Sequence, residues 1–287
     1  MVPDGVISRG VIYCATNHVF FLEAALISAI AFRRLNPEIP VTILCDALTY
    51  QVLPLENLDI KLIEVPIEAN GNEALMFVSR NLKTQLAKMT PYQETLYIDS
   101  DMLPLKSIAP IWDYLSEADF AMAHDEMTTI TQCDHIAKVE IDYTMGILPG
   151  STLQFNSGLM LWRDNAETQT LFEQWQQEWQ HFKKHDQLAM VRALATTQLN
   201  VAQLPVNYNI SPIDAAPSLL PKNEVYFLHC WGGQVASREY RRIARQFYPH
   251  IVDQVNALLS ARLRRAFLSD RLKRVYSRLG RLLLSWV

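Results

Sequence analysis

Residues 95–105, TLYIDSDMLPL, decide how the rest of the chain is read. Thr95 to Ile98 has the length and apolar character of a buried strand. It runs directly into Asp99-Ser100-Asp101, after which Met102-Leu103-Pro104-Leu105 turns apolar again. Two carboxylates, one residue apart, thus stand at the mouth of an apolar strand. Unpaired charge is costly to bury, so a positive partner is expected there.

Outward from this stretch, strand-like and helix-like segments alternate. Strands are predicted at 11–15, 41–45, 60–65, 95–98, 119–123, 158–162, 201–204 and 225–228, and helices at 21–34, 79–89, 165–182 and 187–195. The βαβα order predicts an α/β fold, with a largely parallel central sheet and helices on both faces. In such sheets ligands bind beyond the carboxyl ends of the strands. Two strands end there in polar residues: 11–15 runs into Thr16-Asn17, and 95–98 into the acidic pair. Between about 126 and 154 periodicity fades into Thr, Asp, Gly and Pro, which predicts a long surface excursion of the kind that carries specificity.

The 287 residues suffice for one large domain or two modest ones, and the 49% apolar fraction is that of a soluble globular chain. No apolar run approaches membrane-spanning length, and the N-terminus, with an acidic residue and no apolar h-region, does not read as a secretory signal. Cys14, Cys45, Cys133 and Cys230 lack paired metal-ligand spacing and read as reduced, buried thiols, which predicts a cytoplasmic protein. The net charge of −4 hides an asymmetry. From Arg238 onward there are twelve Lys and Arg against three acids, a balance of +9, so residues 1–237 carry the other 14 basic and 27 acidic residues, −13. We divide the chain into a body, 1–240, and a basic tail, 241–287. The tail sets Leu258, Leu259, Leu263, Leu272, Val275, Leu279 and Trp286 at helical spacing against an arginine face. This predicts an interfacial helix on the inner face of an anionic membrane, or a helix packed on protein. Without a recognition module or interleaved aromatics, nucleic acid is not expected as a partner.

An Asp-x-Asp at a strand mouth offers two oxygen ligands to a hard divalent cation, Mn²⁺ or Mg²⁺, and His229, closing the strand-like run before it, is placed as a third. Such an ion would neutralise a departing diphosphate. Each feature also has a plain alternative, since aspartates commonly terminate strands and a lone histidine is commonly a core residue.

Five motifs then occur in order: YIDSDMLPLKSI (97–108), FNSGLMLW (155–162), HDQLAM (185–190), VNYN (206–209) and FLHCWGG (227–233). Over residues 10–235 the chain resembles the retaining, family 8 glycosyltransferases of the GT-A fold, which include glycogenin and bacterial lipo-oligosaccharide galactosyltransferases. The resemblance implies that Asp99, Asp101 and His229 hold the metal. It implies that Ala15, Thr16 and Asn17, with Phe20, hold the nucleotide base, an aromatic being able to stack on it; Phe20 reads equally as the first core residue of its helix. Arg80 and Lys83 match basic residues that touch the donor, or form a solvated helix face. Ser100, between the metal aspartates, and Asn156 and Ser157 match donor contacts, and Gly158 permits close backbone approach or relieves packing. Asp186 and Gln187 match the acid–amide pair beside the anomeric carbon, with Asp186 orienting hydroxyls and the Gln187 carbonyl facing developing positive charge. Asp186 also reads as a helix N-cap. Tyr208-Asn209 shapes the sugar pocket or forms a turn.

Gly232 fits the family pattern, but the lysine expected after it, which grips the leaving diphosphate, is absent. Arg238 or the backbone N–H groups of Gly232-Gly233 are left to replace it. The resemblance implies metal-dependent transfer of a hexose from a nucleotide-sugar, a UDP-sugar, to a sugar hydroxyl on a glycan or lipid-linked acceptor. A non-catalytic nucleotide-sugar binder and a sugar nucleotidyltransferase stay as rival readings. The second expects a Gly-rich phosphate loop after the first strand, and ATNHVFF (15–21) is not one.

Overall fold

The computed structural model describes residues 8–16, 19–53, 58–66, 75–215 and 225–259. The chain runs β1 (Arg9–Ala15), α1 (Val19–Leu35), β2 (Val41–Cys45), α2 (Ala47–Val52), β3 (Ile60–Glu64), α3 (Leu75–Lys83), α4 (Leu86–Met89), β4 (Glu94–Ile98), β5 (Met102–Pro104), β6 (Phe120–Thr129), α5 (Lys138–Met145), β7 (Leu153–Arg163), α6 (Ala166–Gln180), α7 (Gln187–Thr197), β8 (Val201–Leu204), β9 (Phe227–His229), α8 (Glu239–Phe247) and α9 (Pro249–Leu258).

Seven strands form one sheet in the order β3-β2-β1-β4-β7-β6-β8. β2 and β4 consist wholly of buried residues, and so does β1 after Arg9. This is why they read as continuous apolar runs rather than as alternating ones: both faces of the sheet are covered. All strands are parallel except β7, which runs antiparallel to β4 and to β6. The reversal matters for function. It brings the first half of β7 to the end of the sheet where β1, β4 and β6 finish.

A two-stranded antiparallel sheet pairs β5 with β9, Met102 opposite His229. The chain turns sharply between β4 and β5, the Met102 N–H donating to the Asp99 carbonyl at 3.1 Å. The Cys230 N–H donates to the Asp101 carbonyl at 2.9 Å. Two residues about 130 positions apart are thereby fixed side by side by backbone pairing alone.

α1 is buried along most of its length, and α8 and α9 account for this. They cover its outer side, with Ile251, Val252 and Val255 fully buried and the Tyr240 hydroxyl donating to the Ala24 carbonyl at 3.2 Å. Residues 260–287, with most of the tail's arginines, lie outside the described residues, as does Asn17. All four cysteines are free and buried.

The sequence reading departs from this architecture in several places. The helix expected over 79–89 is two helices, broken where Gln85 takes a non-helical conformation. The strand expected over 225–228 is β9, so that His229 is its last residue rather than the residue after it. β6 continues to Thr129 into the region read as an excursion, which also holds α5. A register shift between β6 and β7 at Met122/Ala123 hides the alternation there.

Candidate active site

Asp99 and Asp101, at the exit of β4, and His229, at the end of β9, each place one ligand atom within 4.8 Å of the others'. The His229 Nδ1 lies 2.7 Å from the Asn209 Oδ1. The Nε2 faces the Asp101 carboxylate 3.2 Å away, so a proton held on Nδ1 by Asn209 would leave Nε2 free to act as a ligand. In that tautomer the ring nitrogen and the two carboxylates converge as a ligand set that a cation completes. Two carboxylate oxygens and one imidazole nitrogen suit Mn²⁺ or Mg²⁺, so the residues present fit a divalent ion. Gly158 proves to be a requirement: a Cβ there would fall on the His229 imidazole.

The positive partner expected for the acidic pair is Lys83. This side chain is buried at the end of α3, with Nζ 2.8 Å from the Asp99 Oδ2 and 3.6 Å from the Asp186 Oδ2. Burial works to lower its pKa, but the two carboxylates outweigh it and hold the ammonium form above its ordinary value. Asp99 also accepts from the Tyr97 hydroxyl. Burial raises Asp99, with Asp101 adding to the rise, against the opposing charge of Lys83. Asp186 behaves oppositely. Burial pushes it up, but Lys83 and Arg80 prevail and keep its carboxyl below the ordinary range. The side chain is 9% exposed and stays ionised at neutral pH.

Asp186 stands at the N-cap position of α7, yet its side chain makes no capping bond. It accepts instead from the Ser157 hydroxyl at 2.5 Å, and Arg80 Nε lies 3.7 Å from its Oδ1. The N-cap reading is thus corrected: the carboxylate is drawn away from the helix toward β7 and Lys83. Arg80 and Lys83 likewise are not a solvated face.

Asp125, midway along β6, joins the other half of the site. Its Oδ2 accepts from the Asn156 Nδ2 at 3.0 Å and from the Gln187 Nε2 at 2.7 Å. The Gln187 Oε1 lies 2.6 Å from the His135 Nε2. The Gln187 amide is therefore held at both ends, carbonyl included. Asp125 and His135 escaped the sequence reading. The rule that singled out Asp99, an acid just past the parallel part of a strand, applies to Asp125 as well, because the parallel pairing of β6 ends at Ala123.

Ala15 and Thr16 are buried at the exit of β1 beside β4, and Ser100 occupies the turn between the aspartates. Phe20, half-buried in the first turn of α1, both packs on the core and carries the Arg238 guanidinium 4.5 Å above its ring. Gly232 has φ 71° and faces open space. Tyr208 stacks on Tyr226, ring centroids 4.2 Å apart, while its neighbour Asn209 holds His229. Among the described residues no helix is long and apolar enough to cross a membrane.

The architecture is similar to several solved structures. The galactosyltransferase LgtC, in complex with donor and acceptor sugar analogs, superposes with a TM-score of 0.57 at 15% identity, over 83% of this chain and 96% of that one. The glycosyltransferase GlyE of Streptococcus pneumoniae TIGR4 gives 0.55 at 12% identity, over 87% of this chain and 63% of GlyE. Mouse xyloside xylosyltransferase 1 gives 0.51 at 13%, over 78% and 94%. No curated protein sequence matches the chain significantly. The GT-A architecture expected from the ordered motifs is the architecture found. Residues 71–251, well over half of the chain, match the nucleotide-diphospho-sugar transferases, and the chain belongs to that family of glycosyltransferases.

Proposed function

We propose that the chain is a metal-dependent, retaining hexosyltransferase of the family 8 type. It would move a hexose from a nucleotide-sugar, a UDP-sugar, to a hydroxyl of a glycan or lipid-linked sugar. The observation that carries this reading is the adjacency of two groups: the Asp99/Asp101/His229 cluster, and the ionised Asp186 carboxylate, with the Lys83 ammonium between them.

Asp99, Asp101 and His229 would hold Mn²⁺ or Mg²⁺, which when bound supplies Lewis-acid stabilisation of the diphosphate. Ala15, Thr16, Asn17 and Phe20 receive the base, and Arg80, Lys83, Ser100 and Gly232 flank the donor. Asn156, Ser157 and Asp186 line the sugar's side, where Asp186 orients hydroxyls as an acceptor of hydrogen bonds. A glutamine is a poor nucleophile, which favours attack on the donor face that the leaving group vacates. The structure adds a qualification for Gln187: its carbonyl is already engaged by His135, so it meets developing charge only as part of the Asp125–Gln187–His135 chain. The basic residues beyond 260 support association with an anionic membrane from the cytoplasmic side, where a lipid-linked acceptor would lie.

The test is a panel of UDP- and GDP-sugars with Mn²⁺, Mg²⁺ or EDTA, read as nucleoside diphosphate release and as the anomeric configuration of the product. Metal-dependent release from one donor with retained configuration is expected; inversion would remove the retaining mechanism. The missing lysine favours one second reading, a binder that has lost the chemistry. Metal-dependent donor binding without release, with and without sugar acceptors, would establish it.

A further inference from the structure

The diphosphate needs a cationic partner, and residues 230–237, CWGGQVAS, contain no Lys or Arg. Arg238 is the first basic residue after His229. Gly232 and Gly233 adopt φ of 71° and 85° and turn the chain back, and Arg238 itself lies at φ 72°. For a residue with a Cβ the left-handed region costs about 1 kcal/mol, so surrounding contacts must hold it there. Two such contacts exist. The Arg238 Nη1 donates to Glu23, which is 2% exposed, and the guanidinium lies 4.5 Å over the Phe20 ring. Its place is the start of α1, just beyond the exit of β1 and next to the exit of β4 that carries Asp99.

Among the described residues Arg241 also donates to Glu23 through Nη1, so two guanidinium groups share this carboxylate. Among the described residues the Nε and Nη2 of Arg238 donate to no other group, and the side chain keeps 34% of its surface exposed. A fixed positive charge with unused, coplanar N–H donors, steadied on an aromatic ring at the start of α1, matches what a phosphate oxygen requires.

We propose that Arg238 binds the donor diphosphate and takes the place of the absent lysine, with Glu23 positioning it; this rests on the reading above. In the transfer the bond between the anomeric carbon and the diphosphate oxygen breaks and its electron pair leaves with that oxygen. The acceptor hydroxyl oxygen bonds to the carbon, and its proton passes to the departing diphosphate or to water. Arg238 donates hydrogen bonds throughout and keeps its protons.

The experiment measures UDP and uridine binding, with Mn²⁺, to the wild-type chain and to Arg238→Gln, Arg238→Lys and Arg241→Gln. Arg238→Gln is expected to weaken UDP about tenfold or more while leaving uridine unchanged, and Arg238→Lys to recover part of the loss. Arg241→Gln should leave the UDP-to-uridine ratio near wild type. In turnover, Arg238→Gln should lower kcat more than it raises KM, because the charge grows as the group leaves. Equal weakening of UDP and uridine would overturn the proposal, reducing Arg238 to a prop for Phe20; so would unchanged binding of both. A wild-type chain that binds neither UDP nor GDP with Mn²⁺ would overturn the underlying reading as well. If Arg238→Gln does not fold, the UDP-to-uridine ratio of Arg238→Lys decides: a reduced ratio supports the proposal and an unchanged one overturns it.

Discussion

Two buried charged clusters in this molecule invite comparison. One centres on Arg192 of α7, which pairs with Glu178 of α6 at 2.8 Å and Glu140 of α5 at 3.5 Å, and donates to the Thr144 hydroxyl at 2.7 Å. The faces of Tyr143 and Phe182 lie within 5.5 Å of the guanidinium. Arg192 and Glu140 are sealed, with side chains 1% and 2% exposed. The other cluster gathers Asp99, Asp101, Asp186 and Lys83, and here the Asp99 and Asp101 side chains keep 23% and 21% of their surface open. Both clusters satisfy the rule that buried charge is paired. They differ in what is left over. In the clamp the guanidinium is wrapped on all sides and fastens α5 and α6 to α7. In the open cluster three carboxylates meet the Lys83 ammonium and the Arg80 guanidinium, and Asp99 and Asp101 keep an open side next to the His229 ring. A sealed, wrapped charge holds a fold together; an open pair of carboxylates beside an imidazole can take a cation.

That contrast is open to test, from the largest effect down. Asp101→Asn removes one ligand and one charge from the open cluster. It should lower Mn²⁺-dependent nucleoside diphosphate release about a thousandfold or more while the melting temperature stays close to wild type. Turnover at the wild-type rate would break the functional half of the comparison. Arg192→Ala should do the reverse, costing about 3–5 kcal/mol in urea unfolding because Glu140 and Glu178 are left buried beside a void. A loss below about 1 kcal/mol would show that the clamp is not one. Gly158→Ala, forcing a methyl against the His229 ring, should weaken Mn²⁺ binding about tenfold with a smaller loss of stability. Unchanged metal affinity would mean that His229 is not a ligand.

The smallest expected effect concerns pH. Hydrogen bonding to Cys133, with the Gln187 carbonyl adding to it, overcomes burial and pushes His135 up to about 9. Burial, with the charge of Arg80, pushes neighbouring His185 down to about 4, so only His135 is charged at neutral pH. A raised folded-state pKa means that the stabilisation is complete below the unfolded value near 6.5 and is lost as pH climbs through about 9. The stability advantage of wild type over His135→Gln should therefore shrink between pH 6.5 and 9.5 in thermal melts. An advantage that grows over this range would contradict the sign.

Much of the fold was legible because its central strands are buried on both faces and show as short apolar runs. The reversal of β7 was not, since strand polarity is set by partners distant in sequence. Nothing at Thr84-Gln85 announces the break between α3 and α4; no glycine or proline marks it. In the site, the acidic pair and its histidine could be read from strand mouths and motif order. Lys83 as their counter-ion could not, because helix periodicity does not say which neighbour a lysine meets. Asp186 was legible as a residue but not in its orientation, which depends on Ser157 of another strand. Asp125 was hidden by a register shift that disrupts the alternation around it.

The central claim, that Asp99, Asp101 and His229 form a metal site, is tested most directly by titrating Mn²⁺ into the apo chain. The titration is followed by calorimetry and electron paramagnetic resonance for wild type, Asp101→Asn and His229→Gln, without substrate and then with UDP. Wild type should bind one Mn²⁺, tightened by UDP, with affinity reduced about tenfold or more in each variant. Equal Mn²⁺ affinity in all three proteins would contradict the claim.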